Sequence, residues 1–166
     1  GFYSSQTESK MGHDEDRLYA AIVKDLCLKK IVGYAFSSRI DTNLTVAALK
    51  MAVNRQRPQN DLIFHSDRGI QYASTGYRES LAERNIIQSL SRKEELYDNA
   101  VAENFFSCTK CEPVHHKHYQ TINETHADIF SYIETYYNPV RLQSGLNWFS
   151  PLAYERLFSV YAAKVA

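Results

Sequence analysis

Leu62-Ile63-Phe64-His65 runs straight into Ser66-Asp67-Arg68-Gly69, and the reading of these eight residues decides the fold. An apolar, β-forming run that stops at a Ser/Asp/Gly cluster is a short buried strand, Leu62 to His65, ending in a turn. Upstream, Thr42 is placed to cap a helix in which Leu44, Ala47, Ala48 and Met51 recur at helical spacing, and Pro58 lies beyond its end. Further back, Leu18 to Leu26 and Ile31 to Phe36 are apolar runs rich in Ile, Val and Tyr, joined across Lys29 and Lys30 as a β-hairpin. Downstream, a helix over 75–84 precedes a second short strand, Ile86 to Leu90, and residues 91–98 form a polar connection. A helix from Asn99 to Glu112 follows, with Val101, Ala102, Phe105 and Phe106 on one face. Thr121-Ile122-Asn123-Glu124 is a capping box, and the helix it opens carries a stripe of Ile129, Phe130, Ile133, Tyr136 and Tyr137. Hairpin, helix, strand, helix, strand and two helices predict an α/β fold with a mixed central sheet flanked by helices. Residues 1–17 are polar and without period, with room for a degenerate first strand.

At 166 residues and 19.1 kDa the chain has the size of one domain. Twelve Tyr, eight Phe and one Trp exclude a disordered chain. No apolar run reaches the ~18 residues of a membrane span, no signal peptide is evident, and an odd count of three Cys argues for a reducing, cytoplasmic setting. Nineteen basic and nineteen acidic side chains cancel, so no global basic field marks a nucleic-acid partner. Residues 61–103 nevertheless bear eight acidic against five basic side chains, a composition suited to a cation site or to a solvated surface.

Asp67 sits where a strand ends and Glu103 one turn into a later helix, with 35 residues between them. Strand ends in α/β sheets fix a side chain while leaving its head accessible. Two carboxylates gathered there repel unless a hard cation such as Mg²⁺ neutralises them. The words around these acids are His65-Ser66-Asp67-Arg68-Gly69-Ile70-Gln71-Tyr72, Ser91-Arg92-Lys93, and Tyr97-Asp98-Asn99-Ala100-Val101-Ala102-Glu103-Asn104-Phe105-Phe106. With Asp25, Ile31-Val32-Gly33, Tyr136-Tyr137-Asn138, Arg141-Leu142, Ser150-Pro151 and Tyr154-Glu155, they make the chain resemble the integrase core of bacterial insertion-sequence DDE transposases, in the retroviral integrase superfamily.

That resemblance implies an RNase H-like fold over residues 18–157, with 1–17 a poorly defined N-terminal segment and 158–166 a C-terminal tail. It implies polynucleotidyl transfer on DNA with two Mg²⁺ or Mn²⁺ ions, held by Asp67, Glu103 and a third acid. The family's first Asp falls near Thr7, and no Asp occurs in residues 1–13; a one-residue gap selects Glu8, and Asp25 is a further conceivable ligand. Arg68, Arg92, Lys93, Asn99 and Arg141 are the expected DNA contacts. Glu94 and Glu95 replace a small Gly-Asn type of pair, and Pro139, Val140 and Gln143 stand where basic residues or His are usual. Weaker, more salt-sensitive DNA binding than that of a typical relative is therefore expected. The resemblance also implies a bacterial, DNA-associated homo-oligomer. The chain opens at Gly1 rather than Met, as a fragment lacking an upstream DNA-recognition region would. The alternatives are a catalytically defective core that only binds DNA or protein, and an RNase H-like nuclease that cuts without joining. Cys108 and Cys111, followed by His115, His116 and His118, offer zinc ligands or a core-plus-surface arrangement.

Overall fold

The computed structural model describes residues 2–10, 17–58, 62–66, 70–90 and 122–165. Five strands, β1 (Phe2–Lys10), β2 (Arg17–Asp25), β3 (Ile31–Ser37), β4 (Ile63–Ser66) and β5 (Ile87–Leu90), form one sheet in the order β3-β2-β1-β4-β5. β1 and β2 pair antiparallel, as do β2 and β3, while β1–β4 and β4–β5 are parallel. The sheet is mixed, as the element order predicted. The polar N-terminal segment holds its central strand: β1 spans nine residues, each opposite a residue of β2.

The helices are α1 (Thr42–Gln56), α2 (Ile70–Ala73), α3 (Thr75–Ala82), α4 (Ile122–Ser131), which passes into a π-helical turn (Tyr132–Tyr137), and α5 (Pro151–Val165). α1 is capped by Asp41 rather than Thr42. Its carboxylate accepts from the Leu44 N–H at 2.9 Å, while Thr42 is already helical and its carbonyl accepts from the Thr45 hydroxyl. α5 opens on Pro151 behind Ser150, whose Oγ accepts from the Ala153 N–H. α5 continues without a break across residue 158, where a C-terminal tail was expected to begin.

Each face of the sheet has its own core. Ala21, Val23, Val32 and Phe64 pack with Leu44, Ala48, Leu49 and Ala52 of α1, Tyr72 of α2 and Tyr77 and Leu81 of α3. On the other face Ile22, Ile31 and Tyr34 meet Tyr132, Ile133 and Tyr137. A bulge in β3 sets which of its residues meet which core. Val23 pairs with Gly33 and Lys24 with Ile31, so Val32 is an extra residue, and Val32 and Gly33 both face α1. A Cβ on Gly33 would stand 2.2 Å from the Ala48 carbonyl oxygen, so only glycine permits so close an approach of α1.

The stripe expected on α4 is only partly buried. Ile133 and Tyr137 are buried, but Phe130 and Tyr136 are exposed and Tyr132 takes a core position instead. The π turn explains the shift, because its wider spacing resets which residues face the sheet. Ala47 of α1, also expected inside, is exposed.

Candidate active site

β4 is the strand that leads into Asp67, and its end is braced. Along it Phe64 and Ser66 are buried and Ile63 and His65 are not, the alternation of a pleated strand. His65 is half-buried, opposite Tyr3 and Ser89, as a packed strand-end residue should be. The Gln88 amide nitrogen on β5 donates to the Ser66 hydroxyl at 3.2 Å and to the Tyr72 carbonyl at 2.9 Å. One side chain thereby ties the end of β4 to β5 and α2. Behind it Phe64, Tyr72 and Tyr77 stack edge to face, with centroids 5.2 Å apart for the two tyrosines and 6.2 Å for Phe64 and Tyr77. A strand end held this firmly is the kind of support that a catalytic acid requires. Gln88 escaped sequence reasoning, although a long polar side chain inside the strand Ile86 to Leu90 was the available signal.

The neighbour of β4 is β1, and the last residue of β1 paired with it is Ser4, opposite Ser66. Glu8 lies four positions further along, opposite Tyr19 of β2, about 13 Å up the strand at ~3.3 Å per residue. Thr7, the position reached by the family interval, is opposite Ala20. Asp67, Arg68, Arg92, Lys93, Asn99, Glu103, Cys108 and Cys111, and the helix expected from Asn99 to Glu112, lie outside the described residues. Among the described residues no group of three or more His, Cys, Asp or Glu side chains is placed to hold a metal ion.

Several residues that carry the resemblance have architectural work. Asp25 folds back on its own turn: Oδ1 accepts from the N–H groups of Cys27 and Leu28 at 2.8 and 2.9 Å. That accounts for its presence without a metal. Asn138, buried, lies against the outer edge of β3, its Oδ1 accepting from the Ile31 N–H at 2.9 Å and its Nδ2 donating to the Ile31 carbonyl at 3.0 Å. The amide thus imitates a neighbouring strand. A little further along, the Tyr34 N–H donates to Met51 Sδ at 3.4 Å. Glu155 pairs with Lys30 at 2.7 Å. Arg141, an expected DNA contact, is half-buried with its guanidinium 5.7 Å from the Tyr137 ring centroid, and Lys24 Nζ lies at the same distance from that ring.

One polar cluster was not foreseen. The Tyr34 hydroxyl donates to Glu134 Oε1 at 2.7 Å, Arg55 Nη1 donates to the same oxygen at 2.6 Å, and the guanidinium lies 5.4 Å from the Tyr34 ring centroid. Burial and then the Glu134 carboxylate push the Tyr34 phenol up to about 12. Burial opposes the Arg55 charge, but Glu134 outweighs it and holds the guanidinium above its ordinary range. The shared carboxylate oxygen fastens α1 and β3 to the π turn.

Two family models, both described as integrase core domain, match residues 6–95 and 103–157. The chain is 40% identical over 142 residues to the transposase of insertion sequence element IS904 from Lactococcus lactis, covering 86% of this chain and 56% of that protein. It is 38% identical over the same length to transposase InsF of insertion sequence IS3A from Escherichia coli, covering 86% of this chain and 49% of the relative. The chain thus spans about half the length of these relatives. Among solved structures, the catalytic core domain of BIV integrase superposes with a TM-score of 0.66 at 10% identity, covering 99% of this chain and 98% of that one. The HTLV-2 integrase catalytic core domain in complex with magnesium gives 0.58 at 12% identity, covering 87% of this chain and 88% of that one. At such identities the superpositions establish the RNase H-like fold. With the two family matches beside them, the chain belongs to the integrase core domain family, and insertion-sequence transposases are its relatives.

Proposed function

We propose that this chain is the catalytic core of a DDE-type transposase, cutting DNA strands and joining the freed ends to a target through Asp67, Glu103 and Glu8. The observation that carries the reading is the parallel pairing of β1 with β4. It sets the strand bearing Glu8 beside the strand whose braced end leads into Asp67. Glu8 is the only acid in β1, so it is the carboxylate that strand has to offer. The donor set is all carboxylate, the hard-oxygen chemistry that Mg²⁺ or Mn²⁺ takes. Bound there, a pair of such ions would supply Lewis acidity to the attacking and leaving oxygens.

In the first step water attacks a phosphodiester, its proton passes to solvent, and the DNA 3′-oxygen leaves as a hydroxyl. In the second, that hydroxyl attacks a target phosphate and displaces the target's own 3′-oxygen. The carboxylates would hold the cations, while Arg68, Arg92, Lys93, Asn99 and Arg141 hold the phosphate backbone and keep the strand in line. DNA ends, target DNA and further copies of the chain are the partners of this reading.

The test incubates the chain, joined to the remainder of its transposase, with DNA bearing the element's ends and Mg²⁺ or Mn²⁺. Nicked and joined strands are expected. Asp67→Asn, Glu103→Gln and Glu8→Gln should each abolish both products while leaving DNA binding intact. Full activity in Glu8→Gln would remove β1 from the metal cage. Binding with no metal-dependent product in the unmodified protein would overturn the enzymatic reading, and hydrolysis without joining would reduce it to a nuclease.

A further inference from the structure

An indole carries a large apolar surface that a fold ordinarily covers in good part. Trp148, the chain's one tryptophan, is 68% exposed. It stands on a loop, residues 143–149, whose shape is closely held. The Gln143 N–H donates to the Phe149 carbonyl at 3.1 Å and closes the loop at its ends. Within it the Gln143 carbonyl accepts from the Leu146 and Trp148 N–H groups, both at 3.0 Å, and the buried Leu146 side chain pins the loop to the body of the protein. Just beyond it the Leu152 N–H donates to the Asn138 carbonyl at 3.0 Å. Trp148 has a left-handed backbone, with φ of 61°, which a bulky side chain rarely adopts. A residue persists in such a conformation only where its surroundings over-determine it, and here they leave the indole in solvent.

The charge around the loop is positive. Residues 135–154 hold no Asp or Glu, a run of twenty in a chain with nineteen acids among 166 residues. The two acids that bound the run are engaged, Glu134 with Arg55 at 2.6 Å and Glu155 with Lys30 at 2.7 Å. Arg141 lies inside the run, half-buried, with its guanidinium against the Tyr137 ring. Lys29 reaches it from the turn between β2 and β3, its Cε 3.9 Å from where a Cβ on Gly145 would stand. Asp25, at the start of that turn, accepts from the Cys27 and Leu28 N–H groups.

We propose that Trp148 is a stacking platform for an unpaired DNA base, with Arg141 and Lys29 drawing in the phosphates of the same strand. A bare aromatic ring among cations is how proteins take hold of single strands, because every base has a face to stack and every phosphate a charge to neutralise. A protein partner would gain the apolar contact but nothing from the clearing of acids around it. Bases inside a duplex are already stacked on both faces, so the ligand is a single strand or a frayed end. The β2–β3 turn lies at the end of the sheet where β4 begins, away from the end that leads into Asp67. The platform therefore grips DNA outside the catalytic pocket. This inference rests on the reading of the chain as a DNA-acting core and on none of its carboxylates.

With no other tryptophan in the chain, indole emission reports on this residue alone. Titration with single-stranded oligothymidylate of about 16 nucleotides, in EDTA so that no divalent ion takes part, should quench that emission to saturation. A blunt duplex of the same length should quench it far less. Trp148→Ala should weaken binding of the labelled single strand, read by anisotropy, about 5- to 100-fold, and Trp148→Phe should keep most of the affinity. Lys29→Gln should lower the slope of log affinity against log salt by about 0.7. Binding of the single strand without quenching, equal quenching by the duplex, or an affinity that Trp148→Ala leaves unchanged would each overturn the proposal and leave the indole to a protein partner. No binding of either DNA would overturn it together with the reading of the chain as a DNA-acting core. If Trp148→Ala fails to fold, the emission of the unmodified chain still decides.

Discussion

Asn138 offers the sharpest test of how the sheet is held. Its amide supplies both hydrogen bonds on the outer side of Ile31, and both residues are buried. Asn138→Leu keeps much of the volume but leaves the Ile31 N–H and carbonyl without partners. A buried backbone group so orphaned costs about 1–3 kcal/mol, so the pair should cost about 3–4 kcal/mol. That is a large share of the 5–15 kcal/mol typical of a whole domain. Asn138→Asp separates the two bonds. The carboxylate still accepts from the N–H, yet it faces the Ile31 carbonyl with no proton to give. Burial beside that oxygen favours the protonated acid, which can donate, so the Asp variant should recover stability relative to the parent as pH falls below neutrality. Urea unfolding of all three proteins at pH 5 and pH 7.5, values chosen to bracket that recovery at roughly one unit either side of pH 6, measures both effects. A Leu variant within about 1 kcal/mol of the parent, or an Asp variant indifferent to pH, would refute the strand-mimic account.

Two further perturbations probe the same edge. Gly33→Ala drives a methyl group against the Ala48 carbonyl oxygen and against Ala52, whose backbone nitrogen and Cβ are both 2.8 Å from the new carbon. Because two of these atoms are backbone, α1 must shift, and a loss of about 2–3 kcal/mol should lower the melting temperature by roughly 5–10 °C in a thermal scan. Tyr34, pushed up to about 12, keeps its proton in the fold where the unfolded chain, near pH 10, has released it. Its contribution is therefore whole below pH 10 and fades toward pH 12, so the stability difference between the parent and Tyr34→Phe should narrow across that window; a constant difference in denaturant melts would refute it.

Strands with an apolar run and a turn signal were legible from sequence: β2, β3, β4 and β5 fall close to their expected bounds. β1 was not, because Ser4, Ser5, Gln6, Thr7 and Glu8 carry no alternating apolar pattern; its place in the sheet comes from pairing with β2 on one side and β4 on the other. The burial of α4 was half legible. A 3.6-residue period finds Ile133 and Tyr137, but nothing local announces the π turn that exposes Tyr136 and draws in Tyr132. The candidate acids rest on motif and spacing, and Asp67 and Glu103 lie outside the described residues. What sequence could not supply was the role of the residues around them. Asn138 and Glu155 look functional in a string of letters because their side-chain hydrogen-bond partners lie more than a hundred residues away.

The extra residue in β3 sets a phase that the rest of the chain must respect. Ile31 and Tyr34 are three positions apart, so a strand that kept Val32 but paired without the bulge would turn one of them to the wrong side of the sheet. Losing Ile31 would uncouple Asn138, and losing Tyr34 would uncouple Glu134 and Arg55. One residue beyond a regular pleat thus lets a single edge strand grip the C-terminal third of the protein at two points.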